Sequence, residues 1–458
     1  MAELVLSRPG ISNIAEKHWS KNLPLGIGYL AASARAQGIN VIVVDGKLEG
    51  HRTIEQTVKK ILSNHPEIVG LSALTMEYPN AIRIAQKLKE TNIAITTVLG
   101  GAHANALPAE SLAGSSALDY VIAGEAETSL PELTIAIREK KPLTFVRGLF
   151  VRDKSGLVSQ SEPAMFGHDI SLLPFPAWDL FPRVDTYPLL SERGCPYQCV
   201  FCSRNMAHNV RSRPTQHVME EIKWLHKDFA AKNILFEDET FGLHSERTEE
   251  LLNKIIEFNR QKGIIFKAQT RVDCVSRSCV QLMKRAGFKY VELGIESGDP
   301  DVIARSRKGI TLKQAEEAVK ILKSEGIKVW AKFIIGLPGE TKQTARHTID
   351  LAVKLNPHRL SVATIVAYPG SKIYDWACEG KNGYRLLSKD WGRFDKYLSS
   401  SVELDNLSYL TMRRLQIQMY LEVYLRNYRF YELSRLLWKS WSFWFTLGRS
   451  MILALKRK

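Results

Sequence analysis

Apolar positions in residues 1–140 fall into short β-rich runs separated by stretches of helical period. Leu4-Val5-Leu6, Val41-Ile42-Val43-Val44, Ile68-Val69-Gly70-Leu71 and Thr97-Val98-Leu99 are bounded by turn residues and predict buried parallel strands. Between them, Leu25 to Gln37 and Pro79 to Glu90 repeat apolar residues at helical spacing, with Gly38 as a C-terminal stop. Strands alternating with helices predict a Rossmann-like α/β domain whose ligand lies at the carboxyl ends of the strands. Residues 141–185 break the rhythm. The prolines of Leu172-Leu173-Pro174-Phe175-Pro176-Ala177-Trp178-Asp179 remove donors and restrict their neighbours, which predicts an extended connector strapped across the next domain.

A second α/β pattern fills residues 186–385. Its strand candidates are Leu189-Leu190-Ser191, Asn233 to Phe236, Phe266 to Gln269, Tyr290 to Leu293, Val329 to Ile335 and Leu360 to Ala363. Ser245 to Asn259 and Leu312 to Ser324 are the clearest helices, the latter stopped by Gly326. Such units predict a partial (β/α)6 barrel with its chemistry at the C-terminal strand ends. Residues 386–458 turn aromatic and basic, and Leu410 to Tyr431 predicts one amphipathic helix that closes the barrel or lines its cavity.

Polar motifs recur at those strand ends. In the second domain they are Glu237-Asp238-Glu239-Thr240-Phe241, Arg271-Val272-Asp273, Gly294-Ile295-Glu296-Ser297-Gly298 and Gly336-Leu337-Pro338-Gly339-Glu340. The first strand there delivers Cys195-Pro196-Tyr197-Gln198-Cys199-Val200-Phe201-Cys202. This C-x3-C-x2-C loop presents three thiolates to one four-iron cluster and leaves its fourth iron open. Zinc is the competing reading, with His208 completing Cys3His. Small zinc modules replace a hydrophobic core, however, and this loop sits in a long α/β pattern that needs no such staple. Cys274, Cys279 and Cys378 fit no compact motif and read as packing residues.

This constellation resembles the radical S-adenosylmethionine (SAM) enzymes, whose signature includes the aromatic Phe201 before the third cysteine. The resemblance implies a [4Fe–4S] cluster on Cys195, Cys199 and Cys202, with SAM chelating the open iron. It places Asp238 and Glu239 at the methionyl amino group, Arg271 at the carboxylate, Glu296 and Ser297 at the ribose, and Gly336 to Glu340 along the adenine. In the first domain, Ser72-Ala73-Leu74, Gly100-Gly101-Ala102-His103 and Gly124-Glu125 are similar to elements of cobalamin-binding domains, with His103 packing on the ligand. The departure is the missing D-x-H-x-x-G: Arg8-Pro9-Gly10 follows the first strand, and Asp45 to Gly50 echoes the spacing with Lys47 in place of histidine. Bound cobalt would therefore lack a histidine lower ligand. Together the domains resemble the cobalamin-binding radical SAM subgroup.

That resemblance implies reductive SAM cleavage, hydrogen abstraction from an unactivated carbon and methyl transfer from cobalamin, with an external donor such as flavodoxin or ferredoxin. An anaerobic oxidoreductase or cyclase of the tetrapyrrole-ring-forming type is the second enzyme reading. A corrinoid-binding sensor with a vestigial barrel is the non-enzymatic one, and the intact cysteine loop argues against it.

The net charge of +15 across 458 residues adds the expectation of an anionic partner: a phosphorylated or carboxylated substrate or a membrane surface, with no nucleic acid expected. Six cysteines, none before Cys195, and no secretory signal predict a cytoplasmic protein without disulfides. The tail from Trp441 to Lys458 is too short in apolar residues to span a bilayer. Its aromatic and basic composition suits peripheral membrane contact, which would favour a lipid or tetrapyrrole-like substrate.

Overall fold

The apolar runs of the first domain become strands because each is bounded by turns and buried between helices. The computed structural model describes residues 2–9, 22–164, 166–167, 169–203, 208–395, 397 and 401–439. In it β1 (Leu4–Arg8), β2 (Val41–Asp45), β3 (Ile68–Ser72), β4 (Thr96–Gly100) and β5 (Tyr120–Ile122) pair in parallel in the order β2-β1-β3-β4-β5. The strand order reverses beside β1, and a crevice opens there at the carboxyl ends. The helices Leu25–Ala36 and Tyr78–Thr91 occupy the predicted stretches, with Gly38 at φ 76° just past the first.

This sheet runs past residue 140. β6 (Leu149–Arg152) and β7 (Val158–Gln160) add to β5 in antiparallel fashion, so residues 149–160, expected within the connector, complete the first sheet. Pairing covers the backbone groups that β5 would otherwise expose as an edge. The strap itself begins later and is anchored by one large side chain. Trp178 is fully buried, and a Cβ on Gly28 would come within 2.8 Å of its ring. The Ala177 N–H donates to the Gly28 carbonyl at 3.0 Å, and Trp178 also meets Tyr187 of the barrel at 6.3 Å. The prolines hold an extended segment that delivers Trp178 into the seam between the domains.

The second sheet begins with β8 (Thr186–Leu189), and a short ribbon, β9 (Glu192–Arg193) with β10 (Arg211–Ser212), stands above it. The strands β11 (Asn233–Phe236), β12 (Ile265–Arg271), β13 (Phe288–Glu296), β14 (Lys328–Ile335) and β15 (Arg359–Thr364) complete it. All six pair in parallel in the order β8-β11-β12-β13-β14-β15. The first strand lies earlier than the predicted Leu189-Leu190-Ser191, with Pro188 tolerated because β8 is an edge. Burial alternates through the strand centres: Phe236, Ala268, Val291, Leu293, Ala331 and Phe333 pack against the helices, while Gln269, Glu292 and Lys332 face the concave side. Period two explains it.

The C-terminal helix is broken into Tyr409–Arg426 and Phe430–Lys439. The predicted continuity over residues 410–431 fails at Tyr428, which sits at φ 58°, while the Asn427 amide donates to the Val353 and Val423 carbonyls. The first piece closes the barrel edge. Val362 of β15 donates its N–H to the Tyr420 hydroxyl at 3.0 Å, and its carbonyl accepts from the Gln416 amide at 2.7 Å. Tyr420→Phe should therefore orphan a buried N–H at a cost of about 1–2 kcal/mol, read as a lower thermal midpoint. The expected membrane-contacting tail lies outside the described residues, among which no helix is long and apolar enough to cross a membrane.

Candidate cofactor and active site

The cysteine loop leaves β9 through Gly194 and is held by its backbone. Val200 donates its N–H to the Ser306 carbonyl at 3.0 Å and accepts from the Ile373 N–H at 3.2 Å. Cys199 is buried, Cys195 half-buried and Cys202 exposed. As placed, no three His, Cys, Asp or Glu side chains among the described residues converge at metal-binding distance. The donor chemistry nevertheless fits a cluster. Burial pushes the Cys199 thiol up, and the cations of Lys308 and Arg271 oppose that shift. Tyr197 lies under the Arg271 guanidinium at 3.4 Å, and Lys308 sits 6.0 Å from the centre of the half-buried Phe201 ring.

The neighbouring strand ends divide into groups that face this loop and groups spent on backbone. Glu296, at φ 70°, pairs with buried Lys308 at 2.7 Å. A Cβ on Gly294 would lie 2.5 Å from the Glu296 carboxylate and 2.8 Å from the Lys308 ammonium, so glycine makes room for that ion pair. Arg271 is engaged by both oxygens of Asp273 and by the Lys308 carbonyl. Three expected ligand residues are turned to structural work. The fully buried Asp238 carboxylate accepts from the Ser191 N–H, the Ser191 hydroxyl and the Glu192 N–H. Burial pushes it up to about 7 against those bonds. The Ser297 hydroxyl meets Thr348 at 3.1 Å and accepts from the Asp299 N–H.

Glu340 accepts from the Gly336 and Leu337 N–H groups, while its other oxygen has no partner among the described residues. Burial pushes the Glu340 carboxyl up to about 8. Between its ordinary 4.5 and that value, the folded chain keeps a proton that the unfolded chain releases. Stability should therefore fall as pH rises through that window, by up to about 1.4 kcal/mol per pH unit. Glu340→Gln keeps the acceptor and should flatten that slope in denaturant titrations at several pH values.

At the carboxyl ends of β1, β3, β4 and β5 lies a cavity of about 350 Å³. Ser72, Gly100, Gly101, Gly124 and Glu125 line it from the first domain, and Arg193, Glu237 and Glu239 close it from the barrel. Gly101 sits at φ 92°, and any Cβ there would come within 2.9 Å of the Ala73 N and O atoms. This glycine cradle fits a bulky planar ligand brought close to backbone. Glu125 is held by both guanidinium nitrogens of Arg211, and Arg193 pairs with Glu127 at 2.8 Å. Burial pushes Glu125 up, but Arg211 and Arg193 outweigh it and hold the carboxyl below its ordinary value.

Two expected lining residues lie elsewhere. Leu74 is 44% exposed. His103 is buried against Tyr78 at 4.2 Å and Trp391 at 5.0 Å, and burial lowers it to about 4. It ties the segment around residue 391 to the first domain. The Asp45 to Gly50 echo is likewise occupied, by the ion pairs Arg8–Asp45 and Lys47–Glu77.

Sequence reasoning missed Lys308, Arg193 and Arg211, which belong to no motif, and it passed over Glu237. A signal for Glu237 was present. Alternation carried just past the end of β11 at Phe236 puts 237 on the face opposite 236 and 238.

Models of known families match both halves: the B12 binding domain over residues 19–134 and the Radical SAM superfamily over residues 191–352. An uncharacterized methyltransferase of Pyrococcus horikoshii is 30% identical over 414 residues, 88% of this chain and 88% of that protein. The anaerobic magnesium-protoporphyrin IX monomethyl ester cyclase of Rubrivivax gelatinosus is 27% identical, covering 77% of this chain and 65% of its own. In fold, the chain is similar to the radical SAM methyltransferase TsrM from Kitasatospora setae, solved with cobalamin and a [4Fe–4S] cluster. The TM-score is 0.71 at 17% identity, over 88% of this chain and 83% of that one. The chain belongs to the cobalamin-binding radical SAM family.

Proposed function

We propose that this protein is a cobalamin-dependent radical SAM methyltransferase that acts on a carbon atom of a small-molecule substrate. One observation carries the reading. β9 brings Arg193 into the cavity of the first domain and, two residues later, delivers Cys195, so the glycine-lined cavity and the thiolate loop share a wall. When bound, the [4Fe–4S] cluster supplies an electron to SAM, and cobalamin supplies the methyl group.

The chain's own residues bind, orient and exclude water. Cys195, Cys199 and Cys202 hold three corners of the cluster, and Phe201 and Val200 shield it. Glu296 with Lys308, the Gly336-Leu337 turn and Arg271 line the SAM side, while Glu239 offers a carboxylate to an amino group. Asp238, Ser297 and Glu340 act through the backbone they hold. Ser72, Gly100, Gly101, Gly124 and Glu125 cradle cobalamin. Among the described residues, none of those that line that cavity is a histidine. An external donor such as flavodoxin or ferredoxin loads the cluster.

Anaerobic incubation with reductant, SAM and candidate substrates tests the reading. S-adenosylhomocysteine together with 5′-deoxyadenosine is expected. Deoxyadenosine alone would move the assignment to the oxidoreductase or cyclase class, which the kinship to the Rubrivivax gelatinosus enzyme also supports.

A further inference from the structure

The cofactors leave one charge pattern unexplained, on the concave face of the barrel. Lys267 and Lys328 stand in register on either side of Tyr290, with ammonium groups 5.8 and 5.5 Å from its ring centre. Arg359 stands opposite Trp330, its guanidinium 4.0 Å above the indole. Among the described residues, none of these three cations has a carboxylate in ion-pair range. Lys332 is the paired one, 2.5 Å from Glu292.

Next to that pair Glu237 reaches the edge of the cavity. Burial and the Glu292 charge push its carboxyl up. Among the described residues, Lys267, Lys328, Lys332 and Arg359 thus share the concave surface with the carboxylates of Glu292, Glu237 and Glu239, and only Lys332 of the four is ion-paired.

Physical chemistry limits what can fill such a surface. Cations stacked on aromatic faces keep part of their attraction for an anion, and oxyanions repay desolvation with charge-assisted hydrogen bonds. An apolar molecule would strip water from these ions and return nothing. Length fits as well. Lys267 is in register with Leu235, two residues before Glu237, so Lys267 and Lys328 lie about 7 Å below the cavity edge, while Arg359, in register with Trp330 and Glu292, lies level with it on the far strand. That is the span of a small metabolite.

We propose that the concave face binds the substrate, and that the substrate is a hydrophilic molecule whose carboxylate or phosphate is held by Lys267, Lys328 and Arg359 while its carbon skeleton points toward Glu237 and the cavity. A lipid or an apolar tetrapyrrole disc does not meet this description. The inference rests on the methyltransferase reading for the word substrate, but not for the existence of the oxyanion site.

Inorganic pyrophosphate serves as the probe, titrated calorimetrically into the full chain reconstituted with cluster and corrinoid. Binding that weakens with added salt is expected. Lys267→Gln and Arg359→Gln should each lower the affinity by about fivefold, roughly the worth of one charge-assisted contact to an exposed cation. Both positions are partly exposed and lack an ionic partner, so folding is retained, which unchanged melting temperatures would confirm.

A control is Arg414→Gln in the outer basic groove beside Lys342 and Arg346, which should leave the affinity unchanged. No binding, affinity unchanged from the wild type in both barrel variants, or a loss confined to Arg414→Gln would overturn the proposal. Reductive SAM cleavage by the wild type is measured in the same preparation. Its absence beside salt-sensitive, Lys267-dependent binding would remove the methyltransferase reading and leave the oxyanion site standing.

Discussion

Cys199→Ala should reduce reductive SAM cleavage to the level of reductant alone. The loop around Cys199 is clamped through the backbone of Val200 to Ser306 and Ile373, so the substitution leaves its path intact and removes only the thiolate. Cys199 is also the buried member of the three. A cubane missing that corner would be open to water on the side facing Lys308 and Arg271. Altering groups that merely orient a metal ligand costs 10–100-fold, so losing the ligand itself should cost more than about 100-fold in 5′-deoxyadenosine formation. Iron content should fall with it, while corrinoid stays bound. The exposed Cys378 gives the contrast, since Cys378→Ala should retain full cleavage. Undiminished deoxyadenosine from Cys199→Ala would sink the cluster assignment.

Gly101→Val should do the reverse, removing corrinoid and sparing iron. Gly101 is at φ 92°, and its missing side chain leaves space bounded by the Ala73 backbone nitrogen and oxygen at 2.9 Å. Both penalties act at once: a β-branched residue is strained at positive φ, and the atoms it would strike are backbone that cannot rotate away. Together they cost roughly 2–4 kcal/mol, concentrated where β3 and β4 form the floor of the cavity. Corrinoid absorbance per chain in protein loaded anaerobically should drop at least tenfold, with the iron signal of the barrel retained. A full complement of corrinoid in that variant would refute the cradle.

Much of the fold was readable because it depends on local rules. The helices Ser245–Asn259 and Leu312–Ser324 lie where periodicity placed them, since one apolar face per helix is written in consecutive residues. The strands β6 and β7 were not readable as members of the first sheet. Their joining depends on the free edge of β5, a partner set by the fold and not by their own sequence. The break at Tyr428 escaped for a similar reason, since the Asn427 amide that stabilises it borrows a carbonyl from Val353.

The site divides along the same line. Spacing along the chain determined the thiolate loop, the glycine-rich strand ends and the family they belong to, because these motifs are contiguous and their chemistry is local. Only the tertiary structure decided which acids face the cavity. Asp238 and Glu239 are neighbours in sequence, yet the first is sealed beneath Ser191 and the second lines the cavity, a division made by the path of the chain just past the end of β11 at Phe236. Likewise Lys308, Arg193 and Arg211 acquire their roles from partners that lie 12 to 86 residues away in the chain. Long-range ion pairs are set by packing, and packing is what a single sequence conceals.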